Sequence, residues 1–129
     1  MAQDDAEAVK WYRRAAEQGL AVAENALGVR YEIGQGVKQD FAKAMKWYRR
    51  PAEHGDAFAQ YRLGFMYFVG HGVPRDYLHY VQAYLWLSLA AERDENRARP
   101  LRTQVAEEMT PEQIAEAERL AREWTPKSE

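Results

Sequence analysis

Trp11-Tyr12-Arg13-Arg14 returns 36 residues later as Trp47-Tyr48-Arg49-Arg50. The neighbouring positions follow the same interval. Gly19 returns as Gly55, Leu27-Gly28 as Leu63-Gly64, and Tyr31 as Tyr67. Gly34-Gln35-Gly36-Val37 returns as Gly70-His71-Gly72-Val73, and Asp40 as Asp76. Residues 4–40 and 40–76 share 20 identities in 37 positions. A fixed period in the thirties is the signature of a solenoid built from helix pairs. Such scaffolds usually bind other proteins and rarely catalyse.

The unit reads as helix, glycine turn, helix, Gly-x-Gly-Val turn. Asp40 is placed to cap a helix populated by Ala42, Ala44, Met45, Trp47 and Tyr48. Gly55 suits the left-handed residue that ends it. The next helix is expected from about Ala57 to Val69, followed by a tight turn at Gly70 and Gly72. Gly28 and Gly64 fall inside helices, where each costs roughly 1 kcal/mol against alanine. Close approach of a neighbouring helix is the expected compensation, with the small residues Ala23 and Ala59 serving the same contact. Pro51 stands four residues after Trp47, whose carbonyl thereby loses its helical donor. A kink or an early helix end near Arg50 is expected.

The third pass drifts. Asp76 reaches Trp86 in ten residues where Asp40 reaches Trp47 in seven, so three residues are inserted. Asp94 stands where Gly55 stood. A divergent helix over 95–108 contains Pro100. Thr110, Pro111 and Gln113 then spell a helix start with a capping box. The last helix, about 111–124, places Ile114, Ala117, Ala121 and Trp124 on one stripe with Leu120 beside it, and reads as a cap. Lys127-Ser128-Glu129 is expected to fray. The array opens on the second half of a unit, which leaves the helix around Val9, Trp11 and Tyr12 without a preceding neighbour. The resulting organisation is a single repeat domain over 1–129: half repeat 4–19, repeat 20–55, repeat 56–94 with the insertion, divergent helix 95–108 and capping helix 110–124. The expected fold is an all-α, right-handed α/α superhelical solenoid of about seven helices.

Composition narrows the function classes. The chain has 129 residues, 47% hydrophobic and 29% charged, with a formal net charge of −2. That balance favours neither nucleic acid nor an anionic membrane surface. The chain contains no cysteine, which excludes disulfides and thiolate metal sites. No apolar run approaches the roughly 18 residues a membrane span requires, so no membrane insertion is expected. The acidic start lacks the apolar stretch of a signal peptide. These features favour the cytoplasm, with the periplasm open if a signal was removed.

The repeat resembles the Sel-one-like repeat (SLR) family, relatives of the tetratricopeptide solenoids. Ala23, Leu27, Gly28, Tyr31, Gly34, Gly36, Val37, Asp40, Ala44, Trp47, Ala52 and Gly55 match its pattern, with Pro51 in place of one alanine. The second copy matches from Ala59 through Asp76 and then at Ala83, Trp86, Ala90 and Ala91. The resemblance covers roughly 4–98 and implies an α/α superhelix acting as an adaptor, in bacterial signalling, envelope and host-interaction assemblies or in eukaryotic quality control, with a bacterial member the expected one. A cysteine-rich branch of the family is linked to β-lactam binding. This chain departs from that branch, so a β-lactam-binding enzyme is the weakest of the readings it implies.

Tyr61, Phe65 and Phe68 fall on one helix face, and Asn25, Val29 and Glu32 occupy the equivalent face one repeat earlier. In solenoids such a face often lines the concave groove. The aromatics would anchor a protein or peptide partner there, with Asn25, Val29, Arg30 and Arg62 completing the surface and Met66 at its rim. The alternative is packing against the divergent helix or a second copy. Homodimerisation through the N-terminal helix is a separate structural reading. The Trp-Tyr-Arg-Arg tetrads mix aromatic and basic residues as nucleic-acid surfaces do. Glu17, Glu53 and the negative net charge oppose that reading, which leaves tryptophan as core and arginine as a solvated outer face. His54, His71 and His79 do not have metal-ligand spacing. No metalloprotease, nucleophile-elbow or phosphate-loop motif occurs. No enzyme activity and no cofactor are expected.

Overall fold

The structure is a computed structural model that describes residues 3–71 and 77–128. The second Gly-x-Gly-Val turn at Gly72 and Val73, with Asp76 and Glu129, lies outside the described residues. Seven α-helices follow one another among the described residues: α1 (Gln3–Glu17), α2 (Ala21–Ile33), α3 (Phe41–Glu53), α4 (Ala57–Val69), α5 (Tyr77–Glu92), α6 (Ala98–Ala106) and α7 (Pro111–Glu123). Each of α1 to α4 packs on the next, α4 packs on α5, and α5 also packs on α6 and α7. This succession of neighbour contacts is an α/α solenoid.

The caps follow from side chains at fixed places. Asp40 accepts from the Lys43 amide at 3.0 Å, and Asp56 from the Ala59 amide at 2.9 Å. Thr110 and Gln113 form the reciprocal capping box, with Pro111 at the first helical position. The repeat-equivalent helices α1, α3 and α5 end alike. Leu20 donates to the Ala15 carbonyl, Asp56 to Pro51 and Glu95 to Ala90, each closing a six-residue turn around a left-handed residue. That residue is Gly19 (φ 84°), Gly55 (φ 100°) and then Asp94 (φ 64°). Asp94 thus adopts the conformation of the glycine it replaces.

Three expectations are corrected here. The helix around Pro51 does not stop near Arg50 but continues to Glu53. Pro51 lies in its last turn, so little helix follows the lost bond, and the ring is fully buried. Its carbonyl accepts from the Asp56 amide at 2.9 Å. The divergent helix is shorter than 95–108, because residues 93–97 complete the left-handed turn at Asp94, and Pro100 falls in the first turn, where proline is tolerated. Lys127 is not frayed. Its amide donates to the Glu53 carbonyl at 2.9 Å, and its ammonium lies 3.1 Å from the Glu53 carboxylate.

The core is continuous through the stack. Val9, Ala16, Ala23 and Leu27 join α1 to α2. Tyr31, Met45, Tyr48, Leu63, Met66, Trp86 and Leu89 link α2 to α5. Val81, Leu87, Ala98, Val105 and Ala117 close the far end. Helix α5 is buried along nearly its whole length from Val81 to Ala91, as its apolar residues on every side require.

The two in-helix glycines mark the closest approaches. A Cβ on Gly28 would stand 2.5 Å from the Tyr48 ring, and one on Gly64 would stand 2.6 Å from the Leu87 side chain. Tyr48 and Leu87 each follow a repeat tryptophan, so one interhelical contact is built twice.

Candidate partner-binding face

The expected groove residues separate into two groups. Tyr61, Phe65 and Phe68 are half-buried on α4. Phe65 packs against the central cluster, while Tyr61 and Phe68 pack against the cluster of α5, α6 and α7. Phe68 also meets the Tyr80 ring at 6.2 Å. Two guanidinium groups cover the aromatics. Arg62 stands 4.7 Å from the Phe65 ring centroid and 5.6 Å from Tyr61, and Arg97 stands 4.6 Å from Tyr61. The result is a face of aromatic rings and planar cations rather than a bare apolar strip.

The polar members hold the scaffold. Arg62 pairs with Glu32 through two of its nitrogens, and the Tyr48 hydroxyl donates to the same carboxylate at 2.8 Å. Burial, reinforced by Glu32, pushes the Tyr48 hydroxyl far above the ordinary tyrosine range. Glu32 holds the Arg62 charge against burial, which opposes it. Asn25 donates to Asp56 at 2.8 Å and so ties α2 to the start of α4. Val29 packs half-buried on the central cluster. Arg30 points to the opposite side, where it pairs with Asp5 at 3.1 Å and stands over Tyr12. Arg62 therefore adjoins the aromatics, and Arg30 does not. Met66, expected at the rim, is fully buried in the core.

The tetrads also depart from expectation. Arg13 donates to the Tyr31 hydroxyl and Arg49 to the Tyr67 hydroxyl, each at 2.7 Å, the same bond in successive repeats. Arg50 pairs with the buried Glu24 at 2.7 Å. These three arginines are interhelical ties, not a solvated outer face. Trp86 is core as expected, Trp47 is half-buried, but Trp11 is 64% exposed. Its helix is the one that the repeat register leaves without a preceding neighbour.

A polar cleft of about 340 Å³ opens between α5, α6 and α7. Tyr84 donates to Glu118 at 3.2 Å across it, and Arg102 lies over Tyr84 and within 3.4 Å of Ser88. Burial, then Glu118, raises the Tyr84 hydroxyl above its ordinary range. These groups satisfy one another. Among the described residues no cluster of acidic or histidine side chains is arranged to hold a metal, and no helix is long and apolar enough to cross a membrane.

Helix pairs of 36-residue period, glycine-centred contacts and a one-sided closing helix define a repeat scaffold. The chain belongs to the Sel1 repeat family, whose model matches residues 1–20, 21–56 and 57–95. The chain is similar to the crystal structure of a protective antigen present in uropathogenic Escherichia coli strains, a protein displaying an SLR fold. The TM-score is 0.85 at 38% identity, over 92% of this chain and 25% of that one. A Sel1 repeat protein from Oxalobacter formigenes aligns with a TM-score of 0.64 at 40% identity, over 70% of this chain and 36% of that one. The chain therefore spans only about a quarter to a third of the length of these bacterial relatives. No curated protein matches it. Sel1 repeat proteins are generally protein-interaction modules, and the fold is typically a non-catalytic scaffold.

Proposed function

We propose that the chain is a non-catalytic adaptor that binds a protein or peptide along the α4 aromatic face. The observation that carries the reading is the arrangement of Tyr61 and Phe65, half-buried on a rigid helix and flanked by Arg62 and Arg97. Aromatic and arginine side chains are the residue types that dominate binding energy at protein interfaces. Their geometry is held in advance by the Glu32–Arg62–Tyr48 contacts, so little ordering cost falls on the receptor. Val29 and Asn25 extend the face on α2, and Phe68 extends it toward α5, whereas Arg30 serves the α1 side.

The test is affinity capture from bacterial lysate with the wild type beside Tyr61→Ala/Phe65→Ala. Circular dichroism checks that the variant keeps its helices. A partner held by the wild type and lost by the folded variant supports the face. A partner retained by the variant places the adaptor site elsewhere.

Self-association through the N-terminal helix is the second reading, favoured by the exposure of Trp11. A light-scattering mass that stays monomeric as concentration rises removes it.

A further inference from the structure

The polar cleft between α5, α6 and α7 lies apart from the α4 face. Tyr84, Ser88 and Glu92 follow one another at four-residue steps along one face of α5. With Arg102 of α6 and Glu118 and Arg122 of α7 they line a hollow of about 340 Å³, the size of a small-ligand site.

The acids and bases of this lining are not paired with each other. Glu118 accepts from the Tyr84 hydroxyl at 3.2 Å, and Glu92 is exposed with Arg93 at 3.9 Å. Arg102 is half-buried, yet it donates only to the Ser88 hydroxyl at 3.4 Å and otherwise lies 5.7 Å from the Tyr84 ring. Other half-buried guanidiniums are held more closely: Arg30 by Asp5 at 3.1 Å, and Arg13 and Arg49 by tyrosine hydroxyls at 2.7 Å. A charge withdrawn from water without an opposite charge beside it is unfavourable. Arg122 has no ion pair among the described residues.

Ser88 adds an independent observation. It is 6% exposed and accepts from Arg102, but its own proton goes to no acceptor among the described residues. The hydroxyl of Thr103 on α6 donates to the Arg99 carbonyl at 3.1 Å, the usual outlet within a helix. Ser88 makes no such bond. A buried hydroxyl donor and two guanidiniums without carboxylate partners therefore line one hollow.

We propose that this cleft is a binding site for an organic carboxylate. The planar guanidinium of Arg102 takes the carboxylate oxygens, Ser88 donates to one of them, and Arg122 adds a second positive charge. A singly charged anion fits better than phosphate, because Glu92 and Glu118 share the lining and repel a dianion. An apolar ligand would leave the same donors unpaired. A free acid and the C-terminus of a peptide present this chemistry alike. The inference does not depend on the α4 face.

The test is a titration of the full chain near neutral pH, followed by nitrogen–proton NMR of backbone amides and arginine side chains. The probes are sodium acetate, N-acetyl-L-alanine, N-acetyl-L-alaninamide and inorganic phosphate. Saturable shifts centred on Ser88 and Arg102 are expected with the two carboxylates and not with the amide. Tighter binding of acetate would assign the site to a free acid, and tighter binding of N-acetyl-L-alanine to a peptide terminus. Arg102→Gln should weaken binding by about tenfold or more, and Ser88→Ala by about threefold. Glu92→Gln should narrow the preference for acetate over phosphate. If Arg102→Gln does not fold, Arg122→Gln, at an exposed position, carries the test with an expected loss of about threefold. Absence of saturable binding overturns the proposal. So does an equal response to the amide, phosphate bound as tightly as acetate, or an affinity that these substitutions leave unchanged.

Discussion

The Tyr48 ring occupies the space that a side chain on Gly28 would need. A Cβ there stands 2.5 Å from Cε1 of the ring, well inside van der Waals contact. Helix propensity alone predicts that Gly28→Ala stabilises the chain by about 1 kcal/mol. The contact predicts the opposite sign, because Tyr48 is fully buried and its hydroxyl is held by Glu32. Gly28→Ala should destabilise by about 1–3 kcal/mol through overpacking. Urea denaturation decides it, and a variant as stable as the wild type would refute the close-approach argument.

Glu32, Tyr48 and Arg62 form one charged contact across three helices. The Glu32 side chain is 10% exposed and that of Arg62 is 20% exposed, so the pair is largely withdrawn from water. Arg62→Met leaves the carboxylate with Tyr48 as its remaining partner among these groups. The expected loss is about 2–3 kcal/mol, toward the low end for a broken buried pair because water still reaches Arg62. Adding Glu32→Gln should return part of that loss. Strictly additive effects in the double-mutant cycle would show that the two residues are not coupled.

Tyr48 also sets an alkaline limit. Its hydroxyl is raised above the ordinary value of 10.0 by burial and by Glu32. Below about pH 10 the phenol is protonated both in the fold and in the unfolded chain, and its contribution is fully present. Above that value the unfolded chain ionises while the folded one holds its proton, so stability falls with rising pH. Tyr84, raised in the same direction, adds to the fall. Wild type should therefore lose stability above pH 10 more steeply than Tyr48→Phe. Parallel curves of melting temperature against pH would contradict this.

Asp94 holds a backbone conformation that glycine adopts at the two preceding equivalents. Its φ of 64° is the single positive value at a non-glycine among the described residues. Asp94→Gly should remove local strain of about 0.5–1 kcal/mol, net of the greater freedom of glycine in the unfolded chain. A rise in melting temperature of roughly 2–4 °C is expected. A lower melting temperature would mean that the aspartate side chain makes a compensating contact.

The repeat made much of the fold legible. The Leu-Gly pairs announced a close approach, and the structure supplies Tyr48 and Leu87 as the approaching groups. Asp40, Gly55 and Thr110 gave the helix ends because capping is local chemistry. What the sequence hid was long-range. Arg13 and Arg49 look like surface residues until the tyrosine 18 positions later is known to lie within reach. Trp11 looks like core because its copies are covered, although the repeat register already leaves its helix without a preceding neighbour. Spacing alone puts Tyr61, Phe65 and Phe68 on one face of α4. Their division between two clusters, and the guanidinium of Arg97 beside Tyr61, are long-range contacts that a period does not report.

The C-terminal residues fasten the cap to the middle of the array. Trp124 meets the buried Trp86 edge-on at 6.5 Å, and Arg93 covers it at 4.9 Å. Beyond it, Lys127 bonds to Glu53 through amide and ammonium, and its carbonyl lies 2.8 Å from His54 Nδ1. The contact joins residues more than 70 apart in sequence, so it holds α7 against the α3–α4 turn as well as α5. Removing residues 125–129 should cost about 1–2 kcal/mol, the scale of two net hydrogen bonds with a weak surface ion pair. The loss should be largely insensitive to salt, because the backbone bond rather than the Lys127 ammonium carries most of it. Lys127→Ala separates the two terms: it keeps the amide and carbonyl and should lose only a few tenths of a kcal/mol. If the truncated chain melts with the wild type, the tail is a passenger and the cap is held by Trp124 and the α5 packing alone.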